Sequence, residues 1–304
     1  MKDYLSELSE SIPVRRTPEQ HDEIFAYVKS EAEAVGLECK VELLGGKHKN
    51  IVIGDVENAN AVITAHYDTP ARSLVPNLMM PRNHALCLLY GFGIPIAVAL
   101  VSLGISNLVG EILNVPPIAT PIIYLILYFG MFFGMMRCGS NKNNKNDNTS
   151  GVATVLSVMA KRPEGAAYIL FDNEEKGLLG SKAYNKAHKE LMKNKLIINL
   201  DCIGNGDNII VVSKPQAEAH PVCQALKDTM TDGDGYKVHY FPQKGSCANT
   251  DYKSFPCSMS VMACKQKGKI FYASKIHTSA DTEAKTENTV FIADRIAKAM
   301  GGNI

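Results

Sequence analysis

One segment governs what this chain can fold into. Across residues 85–136 the only charged side chain is Glu111, in a run of Leu, Ile, Val, Gly, Phe, Met and small polar residues. A helix crosses the hydrocarbon core of a bilayer in about 20 apolar residues. Residues 85–107 and 117–136 each reach that length and leave 108–116 as a loop, so the segment is expected to form a two-helix transmembrane hairpin. Arg72, Arg82 and His84 precede it and Arg137, Lys142 and Lys145 follow it, while the loop carries only Glu111. By the positive-inside rule both flanks are cytoplasmic, which makes the protein an integral membrane protein whose remaining chain lies in the cytoplasm. The competing readings are a hairpin buried in a soluble core and an apolar dimer interface. Runs this long without charge rarely serve as either.

The rest of the 304 residues is enough for one large α/β domain. The expected division is a catalytic unit from residues 1–84 and 137–304, with 85–136 inserted as the membrane hairpin. Lys and Arg total 32 against 31 Asp and Glu, a balance that gives no electrostatic reason to expect a nucleic-acid partner. The eight cysteines include no C-x-x-C pair, so local spacing builds neither a zinc ribbon nor a redox motif, and they read as reduced thiols. The N-terminus lacks the apolar core of a secretory signal.

Outside the hairpin, strand-like and helical patterns alternate. Thr17, Pro18 and Gln20 have the order of an N-cap, a first helical residue and a capping-box partner, and Gly36 ends that helix. Strands are expected at 37–44, 50–54, 59–65, 166–171, 196–200, 208–212, 237–241 and 258–264, and helices at 151–161, 177–191, 217–231 and 287–300. The fold class is therefore α/β.

Chemistry-bearing residues gather where these strands end, which is where open α/β sheets build their sites. The strand AVITA runs into His66-Tyr67-Asp68-Thr69, an imidazole with a carboxylate two residues on. AAYILF ends in Asp172-Asn173-Glu174-Glu175, and KLIINL ends in Asp201. Asp147-Asn148-Thr149-Ser150-Gly151 places a carboxylate before a helix, and Ile276-His277-Thr278-Ser279-Ala280-Asp281 adds a second imidazole with an acid four residues later. Singly, each is an ordinary loop histidine, helix cap or solvated acid. Together they supply the ligands of a two-metal hydrolase, with one glutamate to spare.

The ordered motifs HYDT, DNTSG, NEEKGLLGS, NLD and IHTSADT resemble those of the co-catalytic dizinc aminopeptidases of clan MH, the group of bacterial leucyl aminopeptidases and glutamate carboxypeptidase. The resemblance spans the chain outside residues 70–140. It implies a mixed, mostly parallel sheet flanked by helices in a three-layer sandwich. It further implies that His66 and Asp201 hold one Zn²⁺, Glu175 and His277 hold the other, and Asp147 bridges the two, with Co²⁺ or Mn²⁺ able to take the same donors. Glu174 is then the general base for attack by a metal-bridging hydroxide on a peptide substrate, and Asp68 orients His66. A cis peptide follows the bridging aspartate, at Asp147-Asn148. Asn249-Thr250-Asp251-Tyr252 is similar to a segment near the family's substrate pocket, which gives Asp251 a supporting place.

The chain departs from the family in the stretch between His66 and Asp147, which stand 81 positions apart and between which the hairpin lies. Both ends of the hairpin touch ligand motifs, so the active site is expected near the cytoplasmic membrane face, with the bilayer or the hairpin restricting which peptides reach it. An aminopeptidase is the first expectation. A dizinc carboxypeptidase or dipeptidase is the alternative, with Arg72, Arg82 and Lys244 as candidate carboxylate partners. A glutaminyl cyclase fits less well, because the related cyclases lack the first histidine and line their pocket with tryptophan, whereas this chain has His66 and no Trp. A catalytically inactive membrane scaffold that binds peptides is a further alternative, ahead of the cyclase but opposed by the presence of all six metal and base positions. Gly91, Gly93, Gly130 and Gly134 offer small-residue positions for helix packing.

Overall fold

The computed structural model describes residues 2–75, 77–136 and 139–303; Arg137, one of the flanking cations, lies outside them. The chain begins with α1 (Tyr4–Ser11) and α2 (Pro18–Ala34), followed by β1 (Cys39–Leu44), β2 (His48–Ile53), β3 (Ala61–His66) and the short β4 (Asn77–Met79). The apolar segment forms α3 (His84–Ile112) and α4 (Ala119–Met136). Then come α5 (Ser150–Ala160), β5 (Ala166–Phe171), α6 (Leu179–Ala187), α7 (Lys189–Met192), β6 (Leu196–Leu200) and β7 (Asn208–Ser213). The last part holds α8 (Pro215–Glu218), α9 (Pro221–Thr229), β8 (Lys237–Pro242), β9 (Ser258–Lys267), β10 (Ile270–Ile276) and α10 (Thr286–Ala299).

Every expected strand forms, within a few residues of its expected ends. The central four, in the order β5-β3-β6-β9, are parallel. Antiparallel β2 and β1 extend one side, while β7, antiparallel to β9, and then β8 extend the other. Side chains alternate across this sheet, as the pleat requires. Ile63, Leu170 and Ile198 join a core with α1, α2, α5 and α10, while Val62, Ile169 and Ile197 pack on the opposite face with Tyr184 and Met192. Both faces being covered explains why these strands read as continuous apolar runs. Helix α5 is buried from Ser150 through Met159, so the residues just before it are delivered to the middle of the sheet.

Several elements go beyond the expectation. Helix α1 was not expected; Asp3 caps it by accepting the Ser6 N–H. Strand β10 folds back on β9 through the two-residue turn Gly268-Lys269, and β4 pairs with it. The helix expected at 217–231 breaks into α8 and α9 because Pro221 starts a new first turn, and the one at 177–191 divides at His188. Helix α3 runs five residues past the expected 107, shortening the hairpin loop.

The hairpin helices are long and apolar enough to cross a membrane and have few buried residues. Leu89 is 69% exposed, Leu100 65% and Ile126 68%, so the hairpin is not the buried core of a soluble unit. On α3 only Val98, Ser102 and Ser106 are buried; spaced four apart, they form one stripe facing α4. A Cβ added at Gly91, Gly93, Gly130 or Gly134 would meet nothing within 4 Å. The glycine at which the hairpin is tight is instead Gly110, whose Cβ would come 3.1 Å from Thr120 Oγ1.

Candidate metal centre

The parallel core presents His66 at the end of β3, the 172–175 segment after β5 and Asp201 after β6, on adjacent strands and at the same edge. Asp147 reaches this edge from an irregular turn at Lys145–Thr149 whose Asp147-Asn148 peptide is cis, as the resemblance implied. The side chain of Asn148 holds the turn in place. Its Nδ2 donates to the Leu200 carbonyl (3.0 Å), and its Oδ1 accepts the N–H groups of Gly151 (3.0 Å) and Cys202 (3.3 Å). Gly151 has to be glycine, because a Cβ there would stand 2.3 Å from Asn148 Oδ1 and 2.6 Å from the Leu200 carbonyl oxygen. From the other side the carboxylate of Asp281 accepts the N–H groups of Asn146 and Asp147, each at 3.1 Å.

His277 follows β10 with φ +63°, and Cys202 (φ +55°) and Asn173 (φ +55°) flank Asp201 and Glu174 in the same left-handed region. Such conformations cost about 1–3 kcal/mol each in non-glycine residues and gather where a structure over-determines a functional site.

The five residues expected as ligands converge. His66 Nε2 lies 3.3 Å from Asp147 Oδ1 and 3.9 Å from Asp201 Oδ1. His277 Nε2 lies 3.0 Å from Asp147 Oδ2 and 3.3 Å from Glu175 Oε2. Two ligand triads result, His66/Asp147/Asp201 and Asp147/Glu175/His277, each with donor atoms within 4.8 Å of one another, and Asp147 gives one oxygen to each. Glu174 joins a further group with His66 and Glu175. Buried His66 Nε2, Asp201 Oδ1 and Glu175 Oε1 make no hydrogen bond, although polar atoms so enclosed nearly always have a partner. Mixed imidazole and carboxylate donors with free lone pairs fit Zn²⁺.

The electrostatics agree. Desolvation and the nearby Asp147 push Glu175 well above the usual carboxylate range, and desolvation with the charges of Glu175 and Asp251 does the same to Glu174. Asp201 is pushed up to about 6, chiefly by burial. Asp147 is the exception: burial opposes its charge, yet His277 and His66 hold it well below the ordinary value. Carboxylates packed this closely ionise together only around cations.

Asp68 does more than was expected of it. Its carboxylate accepts the N–H groups of Glu174 (3.0 Å) and Glu175 (3.2 Å), and it approaches His66 Nδ1 only to 3.5 Å; the nearer partner of that nitrogen is the Asp68 backbone carbonyl, at 3.1 Å. Asp68 therefore anchors both glutamates as well as standing beside the imidazole. Asp251 is buried, neither of its carboxylate oxygens has a hydrogen-bond partner, and its charge interacts with those of His66, Asp68 and Asp201.

Three positioning residues had not been assigned that place from sequence: Asn148, Asp281 and Arg15. Arg15 is fully buried and donates to the Tyr67 and Ile12 carbonyls and to Thr149 Oγ1, tying the loop after β3 to the Asp147 turn. Arg82, a candidate carboxylate partner, instead stacks over Phe241 and donates to the Lys244 carbonyl. A 910 Å³ surface recess at Asp207, Tyr236 and Arg295 contains none of the site residues, whereas cavities of 320 and 420 Å³ open on His277 and on Glu175.

Comparisons with known proteins agree with this geometry. No curated protein matches the chain. Among solved structures it is similar to the LapA aminopeptidase of Legionella pneumophila (TM-score 0.56, 14% identity, 98% of this chain and 69% of that one). It is similar also to LapB from the same organism (0.57, 13%, 98% and 69%) and to Porphyromonas gingivalis glutaminyl cyclase (0.59, 11%, 98% and 95%). At such identities the likeness establishes the fold, a mixed and mostly parallel sheet flanked by helices. A family model, described as peptidase family M28, matches residues 141–300, more than half the chain and a span that includes Asp147, Glu174, Glu175, Asp201 and His277. The ordered motifs, their convergence on one sheet edge and this match lead to one conclusion: the chain belongs to peptidase family M28, the zinc peptidases of clan MH.

Proposed function

We propose that the protein is a membrane-anchored dizinc aminopeptidase. The observation that carries the reading is the sharing of Asp147, whose Oδ1 stands beside His66 and whose Oδ2 stands beside His277. In this reading His66, Asp147 and Asp201 hold one Zn²⁺ and Asp147, Glu175 and His277 the other. The ions, when bound, supply Lewis acidity at the scissile carbonyl and acidify water. Glu174, held through its backbone N–H by Asp68, accepts the proton of the attacking water and delivers it to the leaving nitrogen. Asp68 fixes the turn that carries both glutamates, and Asp251 adds negative charge. Six carboxylates, those of Asp68, Asp147, Glu174, Glu175, Asp201 and Asp251, outweigh two dications, and that excess suits a substrate with a free α-ammonium.

The hairpin is the anchor, inserted at 85–136 into a catalytic unit of 1–84 and 137–304. Its two ends return to the same side, where the Leu74 N–H meets the Met135 carbonyl at 2.7 Å, and the cations Arg72, Arg82, Lys142 and Lys145 favour a cytoplasmic position for that side.

A carboxypeptidase or dipeptidase is the second reading. It is favoured by the 420 Å³ recess beside Glu175, which has Arg16, His21 and Lys176 in its wall. One assay separates the two: cleavage of a peptide with a free N-terminus, its N-acetylated form and its C-terminal amide, by detergent-purified protein before and after chelation. Chelator-sensitive cleavage of the free peptide and the amide, with the acetylated form spared, is the expected result. Cleavage of the acetylated form with the amide spared moves recognition to the carboxylate end. Cyclisation of an N-terminal glutamine without hydrolysis, or no turnover by zinc-loaded protein, overturns the peptidase reading.

A further inference from the structure

We propose that the hairpin is part of the substrate site as well as an anchor: the cavity between α3, α4 and His277 takes the apolar side chain of the substrate's N-terminal residue. The inference rests on the aminopeptidase reading and adds the part of the chain that selects the residue cleaved.

The cavity has a volume of about 320 Å³, within the range of small-ligand pockets. His277 stands in its wall at one end, and Gly91, Ile94 and Pro95 of α3 with Phe132 and Met136 of α4 line the other. These positions share faces by helical spacing, 91 with 94 and 95, and 132 with 136. They continue the stripe of Val98, Ser102 and Ser106 along which the two helices meet. Farther along that seam the helices touch, with Ser102 Oγ 3.7 Å from Met131 Sδ. At the end nearest the catalytic unit Gly91 contributes no side chain, and a Cβ placed there would meet no atom within 4 Å, so the seam opens into a gap. The gap is held in register with the metal ligand by backbone bonds: the Ser73 N–H donates to the His277 carbonyl (2.7 Å), and the Ser73 hydroxyl donates to the Met135 carbonyl at the end of α4 (3.2 Å). A substrate whose scissile amide lies at His277 thus has an apolar wall within reach of the adjoining side chain. Ser73, Asn77 and Tyr90 also stand in its wall and bring polar atoms, but the part formed by Ile94, Pro95, Phe132 and Met136 gives a charged or amide side chain no partner, so an apolar side chain suits it better.

The test measures kcat/KM of zinc-loaded, detergent-purified protein on alanyl, leucyl and tryptophanyl amides of one fluorogenic amine. The wild type is expected to prefer leucyl over alanyl by about 10-fold or more. Gly91→Leu, which fills the gap, should lower that preference by about 10-fold or more and weaken binding of leucinol, read by calorimetry, by a similar factor. Phe132→Ala, which enlarges the gap, should raise tryptophanyl over leucyl cleavage. Leu100→Ala, on the exposed side of α3, should leave all the ratios unchanged. If Gly91→Leu is inactive altogether, Phe132→Ala decides. Wild-type ratios in both cavity variants, or an equal shift in Leu100→Ala, overturn the subsite while the peptidase reading stands. A wild type that cleaves none of the amides removes the reading and the subsite together.

Discussion

The catalytic sheet and the hairpin use apolar side chains in opposite ways. In the sheet, Ile63 and Ile198 have no exposed surface and alternate with neighbours that pack on the other face, so each position is fixed by several layers. In the hairpin, Leu89, Leu100 and Ile126 are more than half exposed, and the packing between the two helices rests on Val98, Ser102 and Ser106. One region builds its own apolar interior. The other leaves most of its apolar surface unburied and packs only along the seam. The sheet can therefore hold strained, charged and unpartnered groups at its edge, whereas the hairpin carries one acidic or basic side chain across residues 85–136, Glu111, near the C-terminal end of α3.

The largest expected effect lies at that edge. Glu174→Gln should lower kcat by about 10²–10⁴-fold while zinc content and membrane retention stay at wild-type values. Near-normal turnover would remove Glu174 as the proton carrier and leave the sheet edge with a binding role only.

The next effect compares the two regions directly. Ile63→Ala should destabilise the protein by about 2–5 kcal/mol, because it leaves a cavity under the sheet, while Leu100→Ala in detergent should stay within about 0.5 kcal/mol. Thermal unfolding of both variants checks this, and equal losses would mean that the hairpin belongs to the folded core. Leu100→Arg probes the other half of the contrast. It places a charge midway along α3 at a cost of about 2.5–3.5 kcal/mol of insertion. Carbonate extraction should release a measurably larger fraction of that variant than of the wild type, and release of the wild type itself would contradict the anchor.

The smallest effect tests how the Asp147 turn is held. Asn148→Ala leaves the Leu200 carbonyl and the Gly151 and Cys202 N–H groups without their partner, a loss of about 1–3 kcal/mol by thermal unfolding with weakened zinc binding. An unchanged melting temperature would show that Asp281 and Arg15 suffice to hold the turn.

How much of this was legible in the sequence follows the same division. His66, Asp147, Glu174, Glu175, Asp201 and His277 stood out because each follows or precedes a strongly patterned element, and the strands were readable because their apolar runs are long. Asn148 and Asp281 lay inside motifs already singled out, yet their work is hydrogen bonding to backbone from distant segments, which spacing does not reveal. Arg15 carried no signal of its own; it precedes the helix start at Thr17, and its partners Tyr67 and Thr149 are separated from it by 52 and 134 residues. Strand β10 did carry a signal, the Gly268-Lys269 turn between two β-rich runs, and α1 carried Asp3 as a cap, but neither is joined to a long apolar run. The cavity beside His277 was beyond reach from sequence, because it exists only where the end of a hairpin meets a loop held by Ser73.

The most direct test of the central claim, that one aspartate is shared by two metal sites, is metal content by mass spectrometry after equilibrium dialysis against Zn²⁺, for the wild type, Glu174→Gln and Asp147→Ala. Two ions per chain in the first two and at most one in the third is the result this arrangement predicts. A single ion in the wild type, or two retained in Asp147→Ala, would contradict it.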